Sequence, residues 1–499
     1  MNENSLCLIT LNEQAISAYD QYYNSKIIEV PYEDAIELIR CWKRQGDCKE
    51  YKIITQQDYI YSRNEKIREF EKSGVLDELD KVKECIKIDD LLSPQQLREY
   101  KYNNEYNDNN LNGFPSIYHC TSETLYFSEM KEIFDKYISF FKNKLAFNQE
   151  QDLLDSIQQN VNRIMEALEF YNDGNKDKAK QNIKEILEEV INDSFFVSEL
   201  DKSYAFRQVA PFKELHVTHI SEDTYDEMMN AELSFFRARR SKVEEIRERK
   251  EMLHKPYTQA GIIEGQRFCC EGIPAFYLGT TSYVCWLELR QPDEKDFYVS
   301  SYKLDEEGKR LKILNLVIVE ALINGIFNRS VDSEMVRRKE LQLKMIKFWP
   351  LVAATSFKIT TDNERKDKAE YIIPELIMRC IEELRIDGIA YLSKYLESDL
   401  QIEIGVNLAI PIKKKVLDED GYGEICKHMF LTEPYNFKKF LEMDSRKSVN
   451  KPYVDDKYFE DIPRYVEKII YKGKEERYRE TDMAEFDSFL VSQKHIGIK

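Results

Sequence analysis

The sequence predicts an α+β protein in which a helical amino-terminal region precedes a mixed α/β region. Three observations carry this prediction. Apolar residues recur at helical spacing through much of residues 31–201, short β-rich runs replace them after about residue 201, and one well-defined helix sits among those runs. At 499 residues the chain exceeds one ordinary core. Residues 1–205 are expected to form a helical regulatory or oligomerisation domain, 206–415 a mixed α/β domain, and 416–499 an extension packing on it.

The first expected helix spans 32–45, where Ala35, Leu38, Ile39 and Trp42 share a face. A polar stretch between Leu97 and Thr121 contains Asn107-Asp-Asn-Asn-Leu-Asn-Gly113 and reads as a loop. Helices are expected over 123–145, 150–171 and 176–191, the last two separated by the stop-and-restart signal Asn172-Asp-Gly-Asn175. After residue 201, strands are expected at 275–278, 297–304, 312–316, 389–392 and 406–410. The helix among them spans 374–384, with Pro374 suited to a first turn and Asp387-Gly388 turning the chain into the next strand. Beyond residue 415, helices are expected at 436–442 and 462–470.

Composition is globular, with 42% hydrophobic and 33% charged residues. Lys and Arg total 73 against 91 Asp and Glu, a formal net charge of -18. A surface of that sign repels a polyanion, so no nucleic-acid partner is expected. The ten cysteines are scattered without a CxxC pair and read as reduced thiols. With no basic-then-apolar leader and no apolar run of spanning length, a soluble cytoplasmic protein without a membrane partner is expected. His216 and His219 have the spacing of a metal pair, but no further ligand completes it, so no metal is expected.

Three segments carry candidate chemistry: Phe235-Phe-Arg-Ala-Arg239; Glu264-Gly-Gln-Arg-Phe-Cys-Cys-Glu-Gly-Ile-Pro-Ala-Phe-Tyr-Leu-Gly279 running into Trp286-Leu-Glu-Leu-Arg290; and Asp387-Gly-Ile-Ala-Tyr-Leu-Ser393. Each sets polar residues among apolar ones. Glu288 stands between Leu287 and Leu289 in a helix capped by Thr280, Thr281 or Ser282. Taken singly, Arg237 is an ion-pair residue, Tyr277 a core aromatic and Ser393 a turn residue. Cys269-Cys270 lacks an accompanying histidine signature and reads as packing.

In order and context these segments resemble the RES family, named for its Arg, Glu and Ser. Arg237, Glu288 and Ser393 take the three positions, with Tyr277 at the family's aromatic tyrosine. Arg267 resembles the family's Gly-Arg-Phe/Trp-Asn stretch, although Cys269 stands where Asn or Ser is common. His254 before Pro256 resembles its His-x-Pro, and Asn407 its closing strand. Arg239 is a rival for the place of Arg237, two residues along. The resemblance covers about 207–411. It implies an ADP-ribosyltransferase-like fold for the RES catalytic domain and NAD+ as substrate, with Tyr277, Arg267, Arg239, His254 and Asn407 among the binding residues and no metal. Long members carry a helical amino-terminal region, sometimes classed as HEPN-like, and 1–205 would fill that place. No Arg-x4-6-His nuclease motif appears there.

The implied activity is cleavage of the nicotinamide–ribose bond by a glycohydrolase or phosphorylase, in a bacterial toxin–antitoxin or anti-phage role. An antitoxin or phage-derived trigger protein would be the partner, and a homo-oligomer is expected. Nicotinamide leaves as a neutral amine, so the barrier lies in positive charge developing on the ribose. A carboxylate such as Glu288 stabilises that charge, a guanidinium forks onto phosphate or ribose oxygens, and a hydroxyl positions the ribose. The alternatives are a mono-ADP-ribosyltransferase acting on a protein and a non-catalytic dinucleotide sensor.

Overall fold

The computed structural model describes, within the first hundred residues, the backbone of three strands. It then describes residues 117–120, 122–145, 151–207, 222–242, 245–262, 266–270, 272–318, 335–359, 368–396, 404–414, 417–443 and 468–498. By Cα proximity the chain divides into Met1–Asp108 and Asn109–Lys499. The boundaries expected at 205 and 415 fall inside the second unit.

In the first unit, β1 (Ser5–Leu11) lies between β2 (Ile27–Pro31) and β3 (Cys48–Thr55), antiparallel to both. Strand β3 stands in a stretch expected to be helical. Its register with β1 pairs residues some forty positions apart, a non-local contact that outweighs a weak local helical pattern. The helix expected at 32–45 lies outside the described residues.

The second unit is mixed α/β. Helix α1 (Glu123–Leu145) buries Tyr126, Met130, Phe134, Tyr137 and Phe141 on one stripe. That spacing of three and four residues is what an amphipathic helix presents to a core. The turn after α2 (Gln151–Asn172) uses Gly174 at φ +81°, and the Asn175 side chain then accepts from Lys178 N to cap α3 (Lys176–Glu188). These helices pack against α6 (Met335–Thr355) and α7 (Ile372–Ile381). Tyr137 stacks on Trp349 at 4.2 Å and donates to Ile346 O. Two further strands, β4 (Tyr118–Cys120) and β10 (Phe357–Ile359), pair in parallel at the foot of α6, so the expected loop ends in a strand.

The main sheet runs β5 (Val197–Glu199), β9 (Lys312–Asn315), β11 (Gly388–Leu392), β12 (Val406–Pro411), β7 (Ala275–Gly279), β6 (Phe235–Arg240), β8 (Phe297–Leu304), β13 (Met429–Leu431) and β17 (Ile496–Gly497). Strand β14 (Tyr435–Asn436) also pairs with β8. Pairs are antiparallel apart from β9 with β11. Between β6 and β7 the ladder is reduced to Phe236 opposite Gly279, so the sheet divides there into two leaves joined at one point. The expected 462–470 helix is contradicted at its end, because Lys468–Tyr471 is strand β15 of a hairpin with β16 (Lys474–Arg477). A two-residue turn with Lys472 and Gly473 at positive φ closes the hairpin, and such turns favour strand pairing over helix. Among the described residues no helix is long and apolar enough to cross a membrane.

Candidate active site

The site is built on helix α5 (Ser282–Glu288). Of the three possible caps, Thr281 is the one used. Its hydroxyl oxygen accepts from Val284 N at 3.1 Å and the hydroxyl donates to Ile404 O at 2.7 Å. The helix comes close to β7 because Gly279 has no side chain: a Cβ there would lie 2.4 Å from Val284 Cγ1 and 2.9 Å from Cys285 Sγ. Arg290 and Gln291, at φ +62° and +52°, leave the helical conformation and end α5. Glu288 is thereby left exposed at the end of the last turn.

The register Tyr391–Asn407–Gly279 runs straight across β11, β12 and β7. Residues directly opposite one another share a face, so Asn407 lies beside the gap over Gly279 that α5 occupies. Its Nδ2 donates to Glu288 Oε1 at 2.7 Å, and Asn407 itself is buried. A buried amide donor that holds one carboxylate oxygen orients the other.

Around this pair lies an electrostatic neighbourhood. The Glu288 charge acts on Arg267, Lys394, Tyr371, Tyr391 and Tyr395. Burial, with Glu288 adding to it, pushes the Tyr395 hydroxyl up to about 12. The buried Lys394 ammonium is pushed down to about 7 by burial and then by Arg267, partly offset by Glu370 at 3.9 Å. Arg267 donates to Leu392 O at 3.0 Å and to Thr355 O, and its guanidinium lies over Tyr391 at 5.0 Å. It ties the end of β11 to the end of α6, and its buried Nε has no hydrogen-bond partner among the described residues. The Tyr277 hydroxyl reaches Arg267 O and Phe268 O, both at 3.1 Å, and fastens that loop.

Arg237, Arg239 and His254 form a second group. Phe236 shares the row of Gly279, so Arg237 alternates to the other face of its strand, where its guanidinium lies 5.1 Å from the Phe276 ring. One Nη donates to Tyr277 O at 2.7 Å across the split between the leaves, and the buried Nε has no hydrogen-bond partner among the described residues. Burial, and then Arg239, push Arg237 down to about 10. Arg239 donates to Glu251 O and Leu253 O. His254 places Nδ1 2.7 Å from Lys255 O and accepts from Gly423 N at 3.0 Å through Nε2. Those partners hold it as the neutral Nδ1–H tautomer, and burial pushes it down to about 4. The buried Cys285 thiol lies between the two groups, within the field of both Arg237 and Glu288.

Ser393 is fully buried at the end of β11, where its Oγ accepts from Tyr395 N at 3.2 Å. Of the sequence-derived residues, Glu288 and Asn407 bond to each other, Tyr277 bonds to Arg267, and Arg237 meets the set through the Tyr277 backbone. Arg237, Glu288 and Ser393 make no hydrogen bond or ion pair with one another among the described residues. Cys269 donates to Ile273 O, and burial pushes Cys270 up to about 12, so neither is a poised nucleophile. His216 and His219 lie outside the described residues. Sequence reading passed over Lys394, Tyr371, Tyr391 and Tyr395. The available signal was a lysine directly following the apolar strand that ends in Ser393.

No family model matches the chain, and no solved structure does. A Bacillus subtilis (strain 168) protein described as "Putative toxin YopC" is 26% identical over 271 residues, 52% of this chain and 57% of that protein. The chain thus spans little more than half the length of this relative, and the comparison establishes similarity to a protein described as a toxin.

Proposed function

We propose that the chain is a toxin that cleaves the nicotinamide–ribose bond of NAD+, with Glu288 as the carboxylate facing the reacting carbon. The observation that carries this reading is the Asn407–Glu288 hydrogen bond at 2.7 Å, which fixes an exposed carboxylate to an interior strand of the sheet. The ordered Arg237, Glu288 and Ser393 motifs and the likeness to a protein described as a toxin support it. The fold that accompanies this reading is ADP-ribosyltransferase-like, and the exposed Glu288 at the end of α5 marks the surface on which the substrate would lie.

The C–N bond breaks with its electron pair staying on the ring nitrogen, which neutralises the pyridinium. The cation left on the ribose is stabilised by Glu288, a role carboxylates play in glycoside hydrolysis. Water then adds to that carbon and loses a proton, giving ADP-ribose, and phosphate in place of water gives the phosphorolysis product. Arg237 acts as a positioning residue: from the opposite face of its strand it ties β6 to β7 through Tyr277 O. Ser393 holds the turn that carries Lys394 and Tyr395.

The test is nicotinamide release from NAD+ by the purified full chain, with and without phosphate. Wild type should release nicotinamide, and Glu288→Gln should lose on the order of 10²–10³ in kcat while still binding NAD+. Equal rates for the two proteins, or no release by wild type, would refute the assignment. Labelling of a lysate protein by radioactive NAD+ would instead mark the acceptor as a protein.

A further inference from the structure

We propose that Arg290, Lys358, Lys368 and Lys394, gathered over the rings of Tyr371 and Tyr395, form a subsite for a diphosphate group such as that of a nucleoside diphosphate or dinucleotide. This rests on the proposed function and deepens it. The four cations come from four separate places: the turn after α5, strand β10, the segment before α7 and the end of β11. Their convergence is therefore a property of the fold and not of a run of basic sequence.

The geometry is compact. Arg290 lies 4.0 Å from the Tyr395 ring centroid, Lys358 4.9 Å and Lys394 5.9 Å. Lys394 lies 4.4 Å and Lys368 4.9 Å from the Tyr371 centroid. The aromatic faces hold each ammonium or guanidinium in place and partly offset crowding by like charge. Lys394 is ion-paired with the buried Glu370 at 3.9 Å and also feels Arg267, Glu288 and Lys368, so the excess positive charge comes from Arg290, Lys358 and Lys368 and the cluster adjoins the candidate catalytic carboxylate. In a chain of net charge -18, such a local focus of positive charge is the feature that draws an anion to one place. The depressed Lys394 is consistent with this, because a phosphate nearby restores its charge.

The placement also assigns parts of the substrate. With the ribose carbon at Glu288 and the diphosphate over Tyr395, the bond to be broken and the polyanionic handle lie on adjacent surfaces. Binding energy from the remote phosphates can then hold the ribose against the carboxylate.

The experiment is calorimetric titration of ADP into the full-length Glu288→Gln protein, with inorganic pyrophosphate as competitor. The same titration is made after adding Arg290→Gln with Lys368→Gln, and separately Lys358→Gln. ADP should bind and be displaced by pyrophosphate. Each substituted protein should bind ADP about tenfold more weakly or worse, with an unchanged urea midpoint showing that it is folded. No ADP binding, or an equal affinity in all three folded proteins, would overturn the subsite. The two readings fail separately. ADP binding through these residues without nicotinamide release by wild type would leave the subsite and remove the cleavage. Release with ADP affinity indifferent to the substitutions would do the reverse.

Discussion

Replacing Gly279 with alanine would place a methyl carbon 2.4 Å from Val284 Cγ1 and 2.9 Å from Cys285 Sγ, whereas relaxed carbon contacts lie near 3.5–4.0 Å. Both neighbours belong to α5, and both are buried. The obstructing atoms are short side-chain ends, but both residues are buried on a packed helix, so neither can rotate clear without displacing its neighbours. The helix must move off the sheet by more than an ångström, or the strand must bend, and overpacking of this kind costs about 1–3 kcal/mol. Glu288, at the far end of α5, would move with it and lose its 2.7 Å bond to Asn407. Val284→Ala removes the nearest obstructing atom. Alone it should cost about 1–2 kcal/mol for lost burial and the cavity left behind. Urea unfolding followed by tryptophan fluorescence, with Trp286 on α5 as a local reporter, measures all three proteins. The double variant should be less destabilised than the sum of the singles by about 1 kcal/mol or more. Additivity within about 0.5 kcal/mol, or a Gly279→Ala protein as stable as wild type, would refute the claim that close approach of α5 requires glycine.

Two further predictions use pH. His254 is held below its ordinary value at about 4, so it stabilises the fold above pH 6.5 and that contribution is lost as pH falls toward 4. His254→Ala should flatten this window, which amounts to up to about 3 kcal/mol. A magnetic-resonance titration showing wild-type His254 charging near pH 6.5 would contradict it. Asp487, on the helix Asp482–Ser492, accepts from Ser282 N at 3.0 Å and from Tyr478 Oη, and burial pushes it up to about 7. A raised carboxyl works in the opposite sense: its contribution is complete below about pH 3.8 and is lost as pH rises through 7. Asp487→Asn should therefore lose less stability than wild type between pH 5 and 8 in urea unfolding, and an unchanged slope would count against the assignment.

The two groups of candidate residues differ in how they meet. Glu288 and Asn407 are joined by a side-chain bond between a helix and a strand 119 residues apart. Arg237 instead touches the Tyr277 backbone across the one place where the ladder is almost absent. A guanidinium that bridges two strands with one Nη replaces part of the missing ladder. It also leaves the split between the leaves lined by a cation on one face and a carboxylate on the other side of the strand row.

Local pattern was enough for elements whose stabilising contacts repeat along the chain. The stripe from Tyr126 to Phe141 marks α1 at its observed ends, Gly174 and Asn175 mark the turn into α3, and Phe297–Leu304 reads as a strand from its own residues. It was not enough for β3 and β15, whose strand character comes from partners in the sheet or hairpin and not from their own periodicity. The ordered segments around Arg237, Glu288 and Ser393 could be picked out in the sequence because their polar residues interrupt apolar runs. The bond from Asn407 to Glu288, the glycine gap that admits α5, and the cations over Tyr371 and Tyr395 were settled only by the tertiary structure. Each joins segments that are distant in the chain, and burial and charge in such contacts depend on distance in space.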